Sequence, residues 1–154
     1  MRSFQLRIAA VGYEDRLWRQ IVVPADTTFA RLHNVLQALF DWKDDWEHQF
    51  TLGGLSLGRP DDTSGFEVEN ERKFRLDTQI PKRQTSFYYA YGFDDGWTFE
   101  VTFESEVAAP KGQRFQCVAG EGHPHAETVG GPESAGAPKS ACDLAATNER
   151  LARA

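Results

Sequence analysis

The stretch from Leu17 to Trp42, LWRQIVVPADTTFARLHNVLQALFDW, constrains the fold more than any other part of the chain. Its pattern predicts a strand over Leu17–Val23, a turn over Pro24–Thr28 and an amphipathic helix over Phe29–Phe40. Phe29, Leu32, Val35, Leu36, Leu39 and Phe40 recur at three- and four-residue intervals and so share one helical face, with Arg31, Asn34 and Gln37 on the other. Pro24 lacks a backbone donor and closes the strand, and Asp26, Thr27 or Thr28 can cap the first helical turn. Arg31 stands where a reciprocal capping box would need Glu or Gln. A helix with one apolar face needs a sheet to cover it, and the flanking segments supply the strands.

Before Leu17, Phe4, Leu6 and Ile8 alternate with polar residues, and Gly12 with Glu14–Arg16 breaks the run, so the chain opens as an antiparallel hairpin followed by a helix. That order matches the start of a β-grasp by analogy. After an acidic, aromatic connection at Lys43–Glu47, His48, Phe50 and Leu52 share a strand face, and Gly53-Gly54 turns the chain toward Leu55 and Leu57. Gly58–Asn70 reads as a polar loop and Lys73–Leu76 as a short strand. In Ser86–Glu104, Phe87, Tyr89 and Tyr91 alternate, as do Trp97, Phe99, Val101 and Phe103, with turn residues from Gly92 to Gly96 between them. Arg114–Val118 is a last short strand. The expected fold is one α+β domain, a mixed, mainly antiparallel sheet packed on one main helix.

At 154 residues a single domain with a real core is expected. Eleven Phe and four Trp suit the wide gap between a sheet and one helix. A net charge of −6, with no run of Lys and Arg, argues against non-specific nucleic-acid binding and leaves a protein partner open. No stretch is apolar and long enough for a signal peptide or a membrane span, and two cysteines make no disulfide framework, so a cytoplasmic protein is the expectation. From Gly120 the chain turns rich in Gly, Ala, Pro and Ser, without aromatics. Residues 1–131 are therefore read as the domain and 132–154 as a weakly ordered, low-complexity tail, in which Leu144–Arg153 forms a marginal helix anchored only by Leu144 and Leu151. Removing the tail should then leave the melting temperature nearly unchanged.

The Leu17–Trp42 block, Trp46-Glu47-His48-Gln49-Phe50, the stretch Tyr89–Val101 and the stretch Cys117–Gly131 together resemble the plasmid pRiA4b ORF-3-like family, in that family's order. Some of its members are passengers of insertion elements with "TnpR-like" names. The resemblance implies a compact α+β domain and an association with mobile elements, but no assigned biochemistry. The surroundings of a resolvase serine are absent, so the label implies no recombinase. The chain departs from the family pattern at several polar positions: Trp46 and Phe99 stand where it has His, Gly92 where it has Asp, and His125-Ala126-Glu127-Thr128 where it has Pro-Pro-Glu-Asp.

Cys117, His123, His125 and Glu127 form the most metal-like set, since thiolate, imidazole and carboxylate all bind zinc and His-x-His suits two ligands on an extended segment. No Cys-x-x-Cys or His-Glu-x-x-His completes it, and a free cysteine with solvent-facing histidines is the plainer reading; no cofactor is expected, with zinc as the exception to test. For proton transfer the candidates are His48, Asp94 and Asp95, with Glu100 beside them, although Asp-Asp-Gly is more simply a turn and His48 is in phase with Phe50 and Leu52. His33, between the two helix faces, is assigned no function. The aromatic set Tyr88, Tyr89, Tyr91, Trp97 and Phe99 reads as packing rather than a stacking platform, for want of flanking basic residues. No nucleotide-binding loop or nucleophile elbow is present. The leading reading is a non-enzymatic binding or accessory module. The alternative is a small metal-dependent enzyme, or a decayed relative of one, using Asp95, His48 and the Cys117–Glu127 segment.

Overall fold

Strands β1 (Arg2–Ala10) and β2 (Trp18–Pro24) form the expected antiparallel hairpin, with Phe4, Leu6, Ile8, Ile21 and Val23 turned into the core. The computed structural model describes residues 2–60, 68–93, 95–125, 131–132, 137–139 and 142–154. Helix α1 (Phe29–Leu39) follows, and of the three candidate caps Thr28 takes the role, its side chain accepting from the Arg31 N–H. Thr27 instead donates its hydroxyl to the Pro24 carbonyl, 2.6 Å away.

The remaining strands are β3 (His48–Leu52), β4 (Leu55–Gly58), β5 (Glu69–Asn70), β6 (Ser86–Tyr91), β7 (Trp97–Ala108) and β8 (Gln116–Glu121). They complete one sheet of order β5-β4-β3-β6-β7-β1-β2-β8, antiparallel throughout except for the short β4–β5 pair. The fold is α+β with a mixed sheet, as the alternating patterns predicted. A register shift at Gln20/Ile21 against β8 leaves Val118 exposed and Cys117 buried. Phe29 packs edge-on against Phe50 and Phe87, and Phe40 stacks on Phe99, so the aromatics fill the space between α1 and the sheet.

Three expectations need correcting. Gln37 is buried rather than on the solvent face of α1. Lys73–Leu76 is not a strand: a 3-10 turn (Glu71–Lys73) leads into a one-turn helix α2 (Leu76–Gln79), and Arg75 makes only an isolated bridge to Thr28. The reason lies in hydrogen bonding, because the Phe74 carbonyl accepts from Phe29 N–H and the Leu76 N–H donates to Thr27, so the segment braces the start of α1. The terminal helix α3 (Leu144–Leu151) is docked, not marginal. Leu151 is buried, Asn148 bonds both the N–H and the carbonyl of Cys117, and Arg150 reaches the Ala38 and Leu39 carbonyls at the end of α1. Of the expected Gly58–Asn70 loop, residues 61–67 lie outside the described residues.

Candidate metal centre

His33 projects from the middle of α1, four residues after Phe29 and three before Leu36, inside the apolar stripe. Its ring is 1% exposed and lies 3.5 Å, centroid to centroid, from the ring of His48, with an 11° interplanar angle. His48 starts β3 and faces the core in phase with Phe50 and Leu52, as its spacing predicted. The connection between α1 and β3 supplies Asp44, whose φ of 61° places it in the left-handed region that Asp tolerates better than most residues. The 3-10 turn supplies Glu71, 3% exposed.

Each imidazole meets one carboxylate. His33 Nε2 lies 2.9 Å from Asp44 Oδ1, and His48 Nε2 lies 2.7 Å from Glu71 Oε1. Proton positions around His33 follow from its partners. The Asp44 N–H donates to Gln37 Oε1 at 2.7 Å, so Gln37 Nε2 is the end that donates to the Tyr89 hydroxyl at 3.0 Å. The Tyr89 O–H then donates to His33 Nδ1 at 2.7 Å, which leaves the proton of a neutral ring on Nε2, facing Asp44. Burial first, and then the neighbouring His48, lower the His33 pKa to about 4, so the ring is neutral at pH 7. Burial would raise the Asp44 carboxyl, but the Arg59 guanidinium and the His33 ring bonded to it outweigh that and hold it below the usual range. Burial also pushes the Tyr89 hydroxyl well above its ordinary value. His48 Nδ1 is buried with no hydrogen-bond partner among the described residues.

One ligand atom from each of His33, Asp44 and His48 lies within 4.8 Å of the others. Donors about 2.1 Å from one tetrahedral ion stand about 3.4 Å apart, so ligation would require the stacked rings to splay and the donors to draw together by up to about 1.4 Å. Glu71, bonded to His48 Nε2, is placed to orient that ring.

The sequence candidates are distributed differently. His48 lies in this cluster. Asp94 and Glu127 fall outside the described residues. Asp95 accepts from the Gly131 N–H through its backbone carbonyl, which joins the family's third and fourth blocks, and the third block reaches His48 through Tyr91, its partner in the β3–β6 ladder, and the ring of Tyr89. Cys117 is on β8, five strands from β3 in the sheet order. Its thiol is pushed up to about 11 by burial, which outweighs the nearby Arg19, and it donates to the Ala119 carbonyl. His123 faces Arg19, and burial followed by that guanidinium lowers its pKa to about 4. His125 bonds the Ala137 carbonyl. Among the described residues, Cys117, His123 and His125 do not form a ligand set. Sequence reasoning missed His33, Asp44 and Glu71; the signal for His33 was its place in the Phe29–Leu36 stripe, whereas Glu71 carried none.

Two of the departures from the family pattern are packed together. The Trp46 ring would lie 2.8 Å from a Cβ at Gly92, which has φ of 75°, so the residues replacing a family His and a family Asp fit one another. Trp46 also stacks obliquely on Tyr91, and Phe99 lies between Phe40 and Trp97.

A family model described as "Plasmid pRiA4b ORF-3-like protein" matches residues 2–138. An uncharacterized protein of Sinorhizobium fredii, y4hQ, is 30% identical over 129 residues, covering 83% of this chain and 66% of its own length, so the chain spans just under two thirds of that relative. The crystal structure of MM3350 from Methanosarcina mazei Go1, titled a protein of unknown function, matches with a TM-score of 0.77 at 27% identity over 86% of this chain and 77% of that one. These two relatives carry no assigned activity.

Proposed function

The chain belongs to the plasmid pRiA4b ORF-3-like family, and we propose that it is a metal-binding domain, with His33, Asp44 and His48 as ligands and Glu71 as their support. The observation that carries this reading is the mutual approach, within 4.8 Å, of one donor atom each from α1, the α1–β3 connection and β3. The unpartnered Nδ1 of buried His48 supports it, because a lone pair without a donor is costly in the core unless something binds it. Two imidazoles and one carboxylate suit zinc or another divalent first-row ion better than magnesium or calcium. The metal would take the place of the proton between His33 and Asp44, and the Tyr89–His33 hydrogen bond would then run in the opposite sense. On this reading the domain is a binding or accessory module.

The test is metal content after dialysis of the chelator-stripped full chain against zinc and, separately, cobalt. One ion per chain is expected, lost in His33→Ala and in His48→Ala and kept in Cys117→Ser. No retained ion, or equal retention in all three variants, overturns the reading. A second reading has its own support: Gln37, Tyr89, His33 and Asp44 close a hydrogen-bonded ring among themselves, which would serve as a buried structural network. A chain that retains no metal but is destabilised by Tyr89→Phe and by Gln37→Leu would favour it.

A further inference from the structure

We propose that the cleft beside the His33–Asp44 pair binds a small phosphate-bearing ligand through Arg31, Arg59 and Arg72. Three guanidinium groups from three separate segments line this surface: Arg31 from the first turn of α1, Arg59 after β4, and Arg72 from the 3-10 turn. They are widely spaced in sequence, so no basic run announces them, and they gather on a chain whose net charge is −6. Two contiguous hollows share Arg59, Glu71 and Arg72. One, of about 230 Å³, also takes in Arg31 and Asn34 and reaches His33; the other, of about 380 Å³, adds Pro60 and Asn70. Together they suit a phosphate with a modest organic body.

Of the three, Arg59 is ion-paired with Asp44. Arg2, Arg75 and Arg150 each approach a carboxylate. Among the described residues, Arg31 and Arg72 have no acidic partner, and both are exposed. The one acid of the lining, Glu71, is buried and turned to His48. The first turn of α1 carries no acidic side chain, so nothing on the helix opposes an anion at its positive end. Planar guanidiniums matched to oxyanion geometry favour phosphate over a monocarboxylate. Arg59 also bonds Asp44, so a ligand on Arg59 would touch the residue that holds His33.

The inference names the ligand class of the same site as the metal reading and rests on that site's position, but not on the metal itself. Calorimetry on the full chain, stripped of metal and again loaded with zinc, would use inorganic phosphate and pyrophosphate as probes and a single-stranded oligonucleotide as a competitor. Pyrophosphate should bind one per chain in both forms. Affinity should drop at least tenfold in Arg31→Ala/Arg72→Ala, with melting temperature and zinc content unchanged. His48→Ala, outside the lining of either hollow, should lose zinc and keep pyrophosphate, which separates failure of the metal reading from failure of this one. Absence of pyrophosphate binding at millimolar concentration overturns the proposal. So does an unchanged affinity in the arginine variant, or an oligonucleotide that binds in preference to pyrophosphate, which would mark a nucleic-acid surface instead.

Discussion

His33 carries the clearest pH dependence at the residue scale. Its pKa falls from 6.5 in the unfolded chain to about 4 in the fold, so between those values the unfolded chain binds more protons and stability drops as the medium is acidified. The loss begins below about pH 6.5, reaches about 3 kcal/mol near pH 4 and is flat beyond. Chemical denaturation at pH 7.5 and pH 4.5 should show this difference shrinking by most of that amount in His33→Asn; an unchanged pH dependence would mean His33 is protonated in the fold. Tyr89→Phe should cost about 1–3 kcal/mol at pH 7, since it leaves His33 Nδ1 and the Gln37 amide without their shared partner. His48 was legible from the sequence because a two-residue period places it with Phe50 and Leu52. His33 was not, because a lone polar residue between the two helix faces carries no sign of a role until its partners, Asp44 and Tyr89, are brought to it from 11 and 56 positions away.

Helix α1 is the element on which the fold turns, and Leu36, wholly buried in its centre, should cost about 2–5 kcal/mol when cut to Ala, by lost burial plus the cavity left behind. A loss below half a kilocalorie would show that the helix face repacks. Its ends were readable to within a residue, since Thr28 and the apolar spacing act locally. The docking of α3 was not readable. Leu144 and Leu151 look like weak anchors, and Leu144 is indeed exposed, but the attachment is made by polar groups that fill backbone needs elsewhere. Arg150 adds donors to the Ala38 and Leu39 carbonyls in the last turn of α1, and its charge suits that end of the helix dipole. Removal of residues 142–154 should therefore destabilise the domain by about 3–5 kcal/mol, combining the burial of Leu151 with the hydrogen bonds of Asn148 and Arg150. A melting temperature unchanged by the truncation would return this segment to the weakly ordered tail that its composition suggests.

Across the whole molecule, the candidate centre lies where one continuous run, α1 with the connection after it and β3, meets the 3-10 turn that follows later in the chain. An ion held there would tie the covering helix to the sheet, and the unfolded chain has no such set of donors, so binding adds directly to folding stability. At a free zinc concentration about 100 times the dissociation constant, the gain is about 2.7 kcal/mol, or about 5–10 °C in melting temperature for a chain of this size. The rise should continue with concentration, reverse on addition of a chelator, and vanish in His48→Ala. Cys117→Ser should preserve it, because Cys117 lies across the sheet on β8. A rise of equal size in His48→Ala would place the ion elsewhere on the acidic surface. A fall with zinc in every variant would mean that the metal prefers the unfolded chain's own histidines and cysteines, and the buried ring around His33 would then stand as a structural network alone.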